Sequence, residues 1–148
     1  MPRPARVVKR LLPPLVVITL ATAACGGGGG GPTPTPQPAV TGSGGTFTAG
    51  DATTVVSGVC DMQDLQIGLD RANTIFFERV HEHLHVLAAA VEPIDRNVSA
   101  DLFEAKERVE LDLAEDPLPA SYSGDVKSLL GAVGAALDTA GLPSHGCT

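Results

Sequence analysis

Residues 80–85 read "VHEHLH" and place three of the chain's four histidines within five positions. Imidazole can ligate zinc or copper and can move protons near neutral pH, so the spacing decides which chemistry is open. On a helix each residue advances about 100°, so His81 and His85 share a face and His83 points elsewhere. With Phe76, Val80 and Leu87 taken as core-facing, His83 falls within about 40° of their centre, while His85 points away from it. One ion therefore cannot take all three. Glu78 and Glu82 fall on the same outer side as His81 and His85. A two-ligand site there, built on His81 and His85 with Glu78 or Glu82, would hold zinc or copper loosely, with water or another chain completing the shell. The competing expectation, favoured here, is a solvated helical face. His83 is expected as a partly buried histidine bonded to a neighbour.

The pairs Glu78-x-x-His81 and Glu82-x-x-His85 have a spacing that resembles the Glu-x-x-His of di-iron carboxylate bundles. Those sites draw inward-facing ligands from several helices, whereas the next helical stretch here, "EAKERVELDL", has no histidine. Catalytic constellations are missing: there is no G-x-S-x-G elbow, P-loop, dinucleotide glycine fingerprint or His-Glu-x-x-His. Ser144 and His145 adjoin in the tail without a third group to hold them. The expectation is a protein that is not an enzyme and has no cofactor, with zinc or copper as the alternative.

Charge narrows the partners. The formal net charge is -7, but Arg3, Arg6, Lys9 and Arg10 all lie before residue 11, and all 17 acidic residues lie beyond residue 50. Without the first 24 residues, 6 basic against 17 acidic side chains leave -11. Such a surface repels phosphate, which argues against nucleic acid and against an anionic lipid face. With no Trp, one Tyr and four Phe, neither a base-stacking platform nor a sugar cradle is indicated.

The elements that must position these residues follow a leader. "MPRPARVVKR" is basic, "LLPPLVVITLATAA" is an apolar run of 14 residues with Pro13 and Pro14, and small residues lead to Cys25. Thr22-Ala23-Ala24-Cys25 resembles the lipobox of bacterial lipoproteins, with Thr22 standing where that family more often has Leu. The resemblance covers residues 1–25 and implies a signal peptide over 1–24, acylation of Cys25, and an extracytoplasmic protein held to a bacterial membrane by lipid. Acyl chains contribute roughly 0.8 kcal/mol per buried methylene, so more than one chain anchors stably. Residues 25–50 then read as a flexible tether rich in Gly, Pro and Thr, with a reach of about 25 to 30 Å and no packed core.

Residues 51–148 read as the folded domain, an all-α antiparallel bundle of three or four helices. "TTVVSGV" at 53–59 is a candidate extended lead-in, and Asp61 a candidate N-cap. Leu65, Leu69, Ala72, Phe76, Val80, Leu84, Leu87 and Val91 then form one apolar stripe ending at Pro93, with Asn73 a candidate interruption. A second helix is expected from Ser99, burying Leu102, Ala105, Val109 and Leu113, with Glu104, Glu107 and Arg108 facing water. The last is expected after Ser123 and carries Val126, Leu129, Leu130, Val133, Leu137 and Ala140, with Gly141 as its left-handed stop. Gly131, Gly134 and Ala135 suggest a face for close helix packing.

With Cys25 assigned to lipid, Cys60 and Cys147 form an even pair in an oxidising compartment, which predicts a disulfide from the start of the first helix to the chain's end. In the chain-entropy model a loop of that length contributes roughly 4 to 5 kcal/mol. Metal thiolates with His145 are the alternative. The functional expectation is a lipid-anchored helical interaction module of the cell envelope that meets another envelope protein.

Overall fold

A computed structural model of the chain describes residues 37–64 and 67–147. Cys25 with the motif at 22–25, and Leu65 at the head of the expected stripe, lie outside the described residues. A short antiparallel hairpin, β1 (Ala39–Gly42) and β2 (Gly45–Thr48), leads into α1 (Ala49–Met62), α2 (Leu69–Ile75), α3 (His81–Val91), α4 (Arg96–Leu113) and α5 (Tyr122–Thr139). Between α2 and α3, Phe76–Val80 form a π turn in which the His81 N–H donates to the Phe76 carbonyl. These three segments therefore run on as one helix with one extra residue, and the architecture is a four-helix bundle with a small sheet at one side.

The first helix starts earlier than its sequence suggests. The β-branched run in 53–59 reads locally as extended, but Ala52, Val55, Val56, Val59 and Met62 recur at helical spacing and all are buried. Burial of that stripe overrides local β preference. Thr48, not Asp61, is the cap: its hydroxyl accepts from the Asp51 N–H (3.2 Å), and Asp51 Oδ2 accepts from the Thr48 N–H (2.8 Å), a reciprocal capping box. Asp61 lies in the last turn and pairs with Arg79. α1 ends at Met62 and the long helix begins at Leu69, and Asn73 lies within α2, its amide 3.5 Å from the Leu113 carbonyl of α4.

Asp95 caps α4, accepting from the N–H groups of Asn97 (2.9 Å) and Val98 (3.2 Å). Ser99, expected as the cap, is buried one turn in and donates to the Ala88 carbonyl (3.0 Å), joining α4 to α3. Leu102, Ala105, Val109 and Leu113 are buried as their spacing predicts. They meet Val126, Leu129, Val133 and Leu137 of α5 and Phe76, Leu84 and Leu87 of the long helix in one core. Each such side chain contributes about 1.5 to 3 kcal/mol on burial. Gly141 takes φ +68° and Leu142 folds back, its N–H donating to Leu137 (2.9 Å), the expected helix stop.

Two glycine expectations are corrected. Gly131 and Gly134 face open space rather than a partner helix. Close approach occurs instead at Gly58, where a Cβ would lie 2.6 Å from Val80 Cγ2, and at Gly42, where one would lie 2.5 Å from the Ala90 Cα. The second contact bears on the expected tether at 25–50: its end from Ala39 is folded, because glycines at 42, 44 and 45 permit a tight turn lying directly on α3. Phe47 anchors the hairpin in the core, fully buried.

Cys60 and Cys147 are disulfide-bonded, with 5.5 Å between Cα atoms and 87 residues between them. Because α1 begins at Ala49, the bond leaves from its last turn, not from the start of a helix.

Candidate functional site

His81 and His85 occupy one face of α3 with ring centroids 4.7 Å apart, as their spacing requires. That face does not point away from the bundle. His81 Nε2 lies 3.0 Å from Glu110 Oε1 of α4, and the His85 ring lies 5.5 Å from Phe103, also of α4. A helix inside a bundle has neighbours on both flanks, so side chains a quarter-turn from the core direction meet the next helix rather than water. His83 lies on the other flank rather than towards the core centre, half-buried as expected, with Nε2 at ion-pair distance, 3.4 Å, from Asp51 Oδ1 of α1. Asp51 is held below the usual carboxylate range, first by the Thr48 backbone N–H.

Glu110 sits between two bases. Its Oε2 accepts from Lys106 Nζ at 2.7 Å, and the Lys106 side chain is only 6% exposed. Burial lowers the His85 pKa, with the Lys106 charge adding to it. Glu78 and Glu82, the carboxylates expected beside the histidines, are exposed. The carboxylate that meets His81 comes from α4. Among the described residues no group of three or more His, Cys, Asp or Glu is placed to hold a metal ion.

The same flank carries a row of rings. Phe77 of the π turn lies 5.5 Å from His81, His81 lies 4.7 Å from His85, and His85 lies 5.5 Å from Phe103. Phe76 packs edge-on to Phe77 (5.1 Å) from the core side. Phe77 is 54% exposed and Leu111, next to Glu110, is 69% exposed; these are two of the three large apolar side chains exposed among the described residues. Leu111 follows Glu110 by about 100° round α4 and faces outward, so Phe77 is the exposed apolar side chain of the row itself. Exposed Glu78, Glu82 and Glu107 edge the row.

Phe77, Phe103, Lys106 and Glu110 do not stand out as site residues in the sequence. Lys106 carries a signal, since it stands four residues after Leu102 on the apolar phase of α4 and four before Glu110. The Phe103 contact carries none, because it depends on the register of two helices.

A second polar cluster joins α4 to α5. Asp112, 7% exposed, accepts from the Ser121 hydroxyl (2.8 Å) through Oδ1, while its buried Oδ2 has no hydrogen-bond partner among the described residues. Burial, with the Asp125 carboxylate nearby, raises the Asp112 pKa. Asp125 in turn lies 3.3 Å from Arg108 Nε. Tyr122 is pushed up to about 12, mainly by burial, and its hydroxyl donates to the Met62 carbonyl (3.3 Å).

The fold and this site define a small disulfide-linked helical bundle with a half-exposed aromatic and histidine row on an acidic flank. Comparison with known proteins gives no match, whether to family models, to curated proteins or to solved structures. No helix among the described residues is long and apolar enough to cross a membrane.

Proposed function

We propose that the chain is a lipid-anchored, extracytoplasmic interaction module of the bacterial cell envelope, without catalysis of its own, that docks a protein partner on the α3/α4 flank. One observation carries this reading: Phe77 stands exposed at the end of the row His81–His85–Phe103. Half-exposed rings backed by a rigid core supply large contact area at small entropic cost, the chemistry of interface anchors. Glu78, Glu82 and Glu107 around them favour a partner that presents an apolar side chain among Lys and Arg. Residues 1–25 supply the address and acylated Cys25 the anchor.

The test is site-specific photo-crosslinking in cells from position 77, with position 131 on α5 as the control. One adduct from position 77, absent from position 131, supports the reading; equal labelling from both positions rejects it. Retention of Cys25→Ser in the membrane fraction would reject the anchor. The runner-up, loose zinc or copper binding by His81 and His85, requires Glu110 to leave Lys106 or the ion to do without it. Metal titration against His81→Ala/His85→Ala decides it: stoichiometric binding lost in the variant would favour the metal over the partner.

A further inference from the structure

The C-terminal residues 143–147 form an exposed strap across the groove between α1 and α5. On one side of the strap is a cavity of about 440 Å³ lined by Ala52, Val56, Cys60, Pro143 and Cys147. On the other is one of about 160 Å³ lined by Val56, Leu130, Leu137, Ser144 and His145. Val56, His145 and Gly146 line both, so the strap divides one groove into two. Among the described residues two tethers hold it: Ser144 Oγ donates to Asp138 Oδ1 at 2.5 Å, and Cys147 is bonded to Cys60. Cys147 is exposed and Cys60 half-buried. Gly141, at φ +68°, and buried Leu142 fix where the strap begins.

We propose that the Cys60–Cys147 disulfide is a redox-operated latch, and that exchange with a dithiol releases the strap and opens the α1/α5 groove. The dithiol's thiolate attacks the accessible Cys147 sulfur, the S–S bond breaks, and Cys60 leaves as thiolate. The dithiol's second thiolate then attacks its own sulfur in the mixed disulfide and expels Cys147. Two electrons pass to the protein pair, which takes up two protons, and the dithiol becomes a disulfide. With the covalent tether gone, the Ser144 bond is the one side-chain tether left on residues 143–147 among the described residues, and Ala52, Val56, Leu130 and Leu137 become one continuous apolar floor. This device is independent of the α3/α4 flank.

The full chain carrying Cys25→Ser, so that only this pair reports, is treated with dithiothreitol under native conditions. Expected are alkylation of both Cys60 and Cys147 and an unchanged helical circular dichroism signal. The amide order parameters of Ser144, His145 and Gly146 should fall from about 0.85 to below about 0.6. The fluorescent probe anilinonaphthalene sulfonate should then bind and shift the methyl resonances of Val56, Leu130 and Leu137. Cys147→Ser should reproduce the open state without reductant. A bond that yields only when the helices melt, a reduced chain that loses its helices, or a strap that stays ordered with no probe bound would each overturn the latch.

Discussion

His81 on α3 and Glu110 on α4 approach to 3.0 Å, and the same carboxylate holds Lys106, one of the few charged side chains buried in the bundle. Glu110 is thus both the floor of the ring row and the counter-charge that makes a buried ammonium tolerable. Its removal strands Lys106.

Glu110→Gln should cost about 1 to 3 kcal/mol, the penalty for leaving a buried charged group without its partner. Adding Lys106→Met should recover most of that loss, because an apolar side chain of similar length fills the site without a charge to satisfy. Urea titrations of the single and double variants measure both. A double variant no more stable than Glu110→Gln alone would contradict this account of Lys106.

Asp112→Asn is expected to stabilise the protein at neutral pH by about 1 kcal/mol, since a buried acceptor without a donor becomes an amide that needs no charge. The sign follows from the raised Asp112 pKa. Its contribution is fully present below the unfolded value near 3.8 and is lost as pH rises through the folded value. Asp51, whose pKa is lowered, contributes in the opposite sense, above the unfolded value, and its share is lost as pH falls through the folded one. The advantage of Asp112→Asn over the parent chain should therefore disappear in thermal melts taken below that unfolded value.

Gly58→Ala should destabilise by about 1 to 3 kcal/mol, because the new methyl meets Val80 Cγ2 at 2.6 Å where α1 packs on the π turn. Gly131→Ala and Gly134→Ala, within α5 and facing open space, should each stabilise by about 0.5 to 1 kcal/mol through helix propensity. Thermal denaturation of the three variants separates the packed glycine from the exposed ones.

Phe77→Ser should leave stability within about 0.5 kcal/mol, as expected for an exposed position, while removing the adduct formed by a photoreactive group placed at exposed position 82. Thr48→Ala, by contrast, should cost about 0.5 to 2 kcal/mol by breaking the capping box, with the adduct retained. Measuring melting and adduct yield on both variants distinguishes a docking residue from a structural one.

The core of α4 and α5 is legible in the apolar periodicity alone: Leu102, Ala105, Val109, Leu113, Val126, Leu129, Val133 and Leu137 are all buried where a 3.6-residue period puts them. The α1 boundary is not, because Thr53, Thr54, Val55 and Val56 favour strand locally and become helical only by burying one face against α5 and the π turn. The hairpin is hidden for a related reason. A stretch rich in glycine resembles a tether unless a surface such as the Ala89–Ala90 backbone lies within reach.

By itself the sequence determined which residues repeat at helical spacing, that Cys60 and Cys147 are an even pair, that His81 and His85 share a face, and that Gly141 stops a helix. These are local properties, set by periodicity and backbone sterics within a few residues. Only the tertiary structure decided what that histidine face meets. Glu110 and Phe103 approach it from 25 and 18 positions further along the chain than His85, a juxtaposition set by the packing of α3 on α4 and by core burial summed over both helices.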